Sequence, residues 1–63
     1  NNETKAYIRT KADIEVIKSV FGVKDIDELG DYNVFFTDTM TESVLNAKLD
    51  ALGAEAIRVR ILG

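Results

Sequence analysis

Sixty-three residues with a net charge of −3, 46% hydrophobic and 30% charged, have the composition of one folded domain rather than a disordered segment. With no His, Cys or Trp, the chain has no disulfide, no structural zinc site and no Cys- or His-based nucleophile. The acidic balance disfavours non-specific binding to nucleic acid or anionic membrane, and no apolar run reaches the ~20 residues of a membrane span. No signal peptide is visible, so the expected location is cytoplasmic; a start at Asn1-Asn2 without Met reads as a processed or excised piece.

In chain order, Lys5–Thr10 alternates, with Ala6 and Ile8 on one side and Tyr7 and Arg9 on the other, the pattern of a half-buried strand. Thr10, with Asp13 three residues on, predicts a cap for a helix over Lys11–Phe21 whose apolar stripe is Ile14, Ile17, Val20 and Phe21. Gly22 suits the left-handed residue that ends it. Val23–Leu29 is ambiguous, since Val23, Ile26 and Leu29 recur every three residues. It reads as an edge strand guarded by Asp25, Asp27 and Glu28, or alternatively as loop. Leu29-Gly30-Asp31 is a turn.

Tyr32–Asp38 is the strongest strand, with Tyr32, Val34 and Phe36 on one side and Asn33, Phe35 and Thr37 on the other. Thr39 and Glu42 have the spacing of a capping box for a helix over Met40–Leu52, its stripe Leu45, Leu49 and Leu52, stopped by Gly53. In Ala56–Leu62, Ile57, Val59 and Ile61 alternate with Arg58 and Arg60.

Residues 1–63 thus predict a single small α+β domain of order β-α-β-β-α-β. Right-handed crossovers turn that order into a ferredoxin-like fold: a four-stranded antiparallel sheet with two helices on one face. If Ile8 and Val59 face the helices, the open sheet face carries Tyr7, Arg9, Phe35, Arg58 and Arg60. Such a cluster of Arg and aromatics suits a subunit interface or an anion, or simply a solvated face.

Several sites are absent from the residue pattern. Ser19 and Ser43 have no base nearby, and Asp25, Asp27, Glu28 and Asp31 read as a solvated turn rather than an acid–base pair. A calcium loop begun at Asp25 would place Leu29 and Phe36 at ligand positions, and no phosphate-binding glycine motif occurs. No cofactor, metal or catalytic residue is expected, and the chain reads as a non-enzyme. RNA-recognition domains share this plan and stack bases on aromatics of the third strand. Aligning Gly30, Val34 and Phe36 with that motif puts Asp31 and Asn33 at the stacking positions, which argues against nucleic acid as partner.

The turn Gly30-Asp31-Tyr32, its strand and helix, and Ile57-Arg58-Val59-Arg60-Ile61 together resemble the ACT domain, and within it the regulatory domain of phosphoglycerate dehydrogenases. The resemblance implies a non-catalytic regulatory module, a homo-oligomer or one attached to a partner enzyme. It further implies an amino acid or other small-molecule effector held near the first strand–helix turn, at Lys11, Ala12 and Asp13. That turn lacks the glycine usual in the family. A second segment, Leu49-Asp50-Ala51-Leu52-Gly53-Ala54, is similar to part of sugar phosphotransferase IIB domains, whose phosphate-carrying Cys this chain does not have. Three functional expectations follow: a self-associating regulatory module, a nucleic-acid or polyanion binder using the open face, or a purely structural assembly domain.

Overall fold

A computed structural model describes residues 3–53 and 56–62 of the chain. Seven elements follow one another: β1 (Glu3–Thr10), α1 (Ile14–Phe21), β2 (Asp27–Leu29), β3 (Tyr32–Phe36), β4 (Met40–Thr41), α2 (Glu42–Leu52) and β5 (Ile57–Leu62). The result is an α+β fold with an antiparallel sheet and two helices. Five strands form where four were expected; their order is β2-β3-β1-β4, with β5 also paired to β1. Among the described residues no helix is long and apolar enough to cross a membrane.

β1 is the hub of the sheet. Its second half pairs with β3 from Tyr7↔Phe36 to Thr10↔Asn33, its middle with β5, and its first residues Glu3 and Thr4 with Thr41 and Met40 of β4. Thr4, Ala6, Ile8 and Thr10 are buried while Lys5 and Arg9 are exposed, the period of two that an amphipathic strand requires. Ala6, Ile8 and Phe35 from the sheet, Ile17 and Phe21 from α1, and Leu45 from α2 form one core cluster. Both helices therefore cover the same sheet face. Phe21 meets Phe35 edge-on at 5.2 Å between ring centres, and each large apolar side chain so buried contributes about 1.5–3 kcal/mol.

Both helices begin later than the sequence pattern suggests. Thr10 is wholly buried at the end of β1, and its Oγ1 accepts a hydrogen bond from the Ala12 amide at 3.0 Å. The Ala12 carbonyl is taken by the Asn33 side-chain amide at 2.8 Å. The chain at 10–12 is thus bonded as a turn, and α1 starts at Ile14 with Asp13, not Thr10, as its cap. Asp13 caps through its backbone alone: its carbonyl accepts from the Ile17 amide, and its side chain makes no cap bond. In α2 the cap is Thr41, which accepts from the Val44 amide, rather than Thr39. The ladder with Glu3 and Thr4 holds Met40 and Thr41 extended, so the helix waits until Glu42.

The ambiguous segment resolves into a short strand. Only Asp27–Leu29 pairs with β3, across the turn at Gly30 (φ 64°), while residues 23–26 are irregular. All three β2 side chains are exposed. Gly22 ends α1 in the left-handed conformation (φ 69°) that its Cβ-less backbone adopts without strain.

Candidate binding face

The helices leave one sheet face bare, and its occupants follow from register. Residues directly opposite in an antiparallel ladder share a face. Tyr7 stands opposite Phe36, and Ile8 opposite Phe35. Since Ile8 lies in the core, Phe35 does too, at 2% exposure, while Phe36 on the bare face is 52% exposed. Phe35 is therefore not a residue of the open face, and its neighbour Phe36 takes that place.

The parity was misleading for a physical reason. Phe35 alternates with Asn33 and Thr37, two polar residues that make this side of the strand look solvated. Both are turned inward to bond the backbone. Asn33 donates to the Ala12 carbonyl, and Thr37 Oγ1 accepts from the buried Ala6 amide at 3.0 Å. Thr37 is only 1% exposed, and its own amide donates to the Ala6 carbonyl.

Arg58 is also displaced from the expected face. Along β5, Arg60 pairs with Tyr7 but Arg58 pairs with Ile8, so the ladder passes over Val59 in a bulge. An extra residue in one strand reverses the side to which the following residues point. Arg58 consequently lies on the helix side, where it donates to Glu42 Oε1 at 3.0 Å and to Asn46 Oδ1, both on α2. Arg60 keeps its register position opposite Tyr7, and its side chain lies outside the described residues.

Tyr7 and Arg9 are where the strand pattern puts them. The Tyr7 ring lies 4.7 Å from that of Phe36, tilted by 49°. The Arg9 guanidinium sits 4.8 Å from the centre of the Tyr32 ring, the Lys11 ammonium 5.5 Å from the same ring, and the Lys5 ammonium 5.8 Å from Phe36. A band of rings and cations runs along β1 and β3. Three of its members, Lys5, Tyr32 and Phe36, were not singled out from the sequence. The signal was present: Lys5 shares the parity of Tyr7 and Arg9, and Tyr32 that of Phe36. Acidic Glu3 and Asp27 share this face by alternation and register, at its margins.

Exposed Leu29 and Ile57 extend the band at either side, opposite Tyr32 and Arg9 respectively. Val34, opposite Arg9 and Asp27, is buried yet outside the core cluster, so this face is partly dry. Beside Phe36 a pocket of about 380 Å³ is lined by Gly22, Val23, Lys24, Asp25, Phe36 and Asp38.

The first strand–helix turn has a different character. Of Lys11, Ala12 and Asp13, Lys11 is directed over Tyr32, and both backbone polar groups of Ala12 are bonded within the chain. The turn is thus a lock between β1, α1 and β3, with little hydrogen-bonding capacity left at Ala12 for an effector.

No protein-family model matches this chain, and neither curated proteins nor solved structures provide a match.

Proposed function

We propose that this protein is a non-catalytic interaction module whose working surface is the bare sheet face. The observation that carries the reading is Phe36: a large aromatic ring, half exposed, packed at a tilt against Tyr7 with the Lys5 ammonium beside it. Exposed apolar area of this kind is characteristic of contact surfaces, and aromatic residues with Arg are the types enriched there.

The architecture agrees with that use. Only three residues, 37–39, separate β3 from β4, and the Thr37 bonds to Ala6 carry the pairing of β3 on toward Thr4 and Glu3. We therefore read β3 and β4 as one strand with an irregularity, which makes the sheet order β2-β3-β1-β5 and the plan ferredoxin-like. The ACT-like modules that the chain resembles share this plan. Their regulatory role would place an effector at Lys11–Asp13, where Ala12 is already bonded internally, so the sheet face is the better-supported surface.

The test compares the two surfaces. The native chain is followed by sedimentation over a range of concentrations, and by thermal shift against an amino-acid panel and short oligonucleotides. Phe36→Ser should abolish whichever association is found, with its circular dichroism unchanged. A response abolished instead by Lys11→Ala or Asp13→Ala, and insensitive to Phe36→Ser, assigns the function to the turn and overturns the reading.

A further inference from the structure

Resting on the bare face as the working surface, we infer that its occupant is single-stranded nucleic acid, with bases stacked on Phe36, Tyr7 and Tyr32 and phosphates drawn to Lys5, Arg9 and Lys11.

Charge placement is the first argument. The chain as a whole is acidic, at −3. Yet along β1 the bare face carries Lys5 and Arg9, continued by Lys11, with their charged groups 5.8, 4.8 and 5.5 Å from a ring centre. At ~0.1 M salt a phosphate responds mainly to charges within about 10 Å, so along β1 the three neighbouring cations outweigh the acids of the helices. Acidic side chains border the band, with Glu3 at the far end of β1, Asp27 opposite Val34 on the edge strand, and Asp25 and Asp38 in the pocket beside Phe36, so the cations of β1 define its positive side.

Ring geometry is the second. Phe36 is half exposed, and the Arg9 guanidinium adds a flat cation above Tyr32. Bases stack both on aromatic rings and on guanidinium planes, with little regard to sequence. Tyr32 and Phe36 lie four residues apart along β3, about 13 Å at the usual rise, which gives two separate stacking stations on one sheet face. Asn33 is turned inward, and the rings that β3 presents on the bare face are Tyr32 and Phe36, on either side of Val34.

The alternatives fit less well. A duplex hides its base faces and would engage the cations alone. A second copy of the chain would bring Lys5, Arg9 and Lys11 against their own counterparts, a like-charge juxtaposition that costs affinity.

The probe is a fluorescein-labelled oligouridylate, read by anisotropy against the folded chain. Binding is expected to weaken with salt at a log–log slope of about −2, from three phosphate contacts at roughly 0.7 each. Phe36→Leu, which keeps apolar bulk but removes the ring, should weaken binding about tenfold, and Phe36→Tyr should restore it. Arg9→Gln should weaken binding and flatten the salt slope, while Lys18→Gln on α1 changes affinity less than twofold. Equal affinity for a duplex of the same length overturns the inference, as does binding that Phe36→Leu leaves untouched. No binding at low salt, in a chain whose self-association or small-molecule response Phe36→Ser abolishes, overturns the nucleic-acid occupant and leaves the working surface standing. With neither response, both readings fall.

Discussion

Phe35 and Phe36 are adjacent, chemically identical, and belong to two different regions. Phe35 is sealed between the sheet and both helices, in edge contact with Phe21. Phe36 lies on the bare face beside Tyr7 with half its surface in water. The covered face is built from aliphatic and aromatic groups that hold the fold together; the bare face is built from rings and cations whose removal leaves the core intact. The pleat of one strand separates stability from recognition, and substitutions can test how cleanly.

The largest effect is expected on the covered side. Phe35→Ala should cost about 3–5 kcal/mol through lost burial and the cavity left behind. A chain of this length has roughly 3–9 kcal/mol of stability in all, so the variant is expected to lose a large share of it, read as a much lower urea midpoint by circular dichroism. A midpoint close to the native one would mean that the covered face is not the stabilising one.

At the junction, Thr37→Val keeps shape but removes the acceptor of the buried Ala6 amide. Leaving that donor unmet should cost about 1–3 kcal/mol in urea unfolding. Asn33→Ala should act by the same route, freeing the Ala12 carbonyl, with a smaller loss because that bond is only partly buried.

On the bare side, Phe36→Ala removes one ring of an exposed cross-strand pair, and about 0.5–1.5 kcal/mol is expected. A loss as large as that of Phe35→Ala would erase the distinction between the faces. The smallest effect belongs to Arg58 and Glu42. Their side chains are 27% and 47% exposed, so a double-mutant cycle should give a coupling of about 0.2–1 kcal/mol that fades with added salt.

Much of the plan was readable in the chain. β1 showed itself by alternation, α1 and α2 by stripes at helical spacing, Gly22 by its position after Phe21, and β2 as a strand of uncertain extent. Three of the readings that failed share one cause. Thr10, Asn33 and Thr37 are polar residues whose partners are backbone groups distant in the fold or otherwise satisfied in a turn. Local pattern takes such residues for caps or for solvent-facing positions. Arg58 failed for a related reason, since a bulge against β1 reversed its side and only pairing reveals a bulge.

The sequence alone determined that the chain folds as alternating strands and helices without disulfide or zinc, because composition and periodicity are local properties. It also supplied both parities of β3 without choosing between them. The choice fell to tertiary structure. Ile8 must be buried under the helices, and the ladder with β1 then carries Phe35 inward and leaves Phe36, Tyr7 and the cations beside them to whatever binds there.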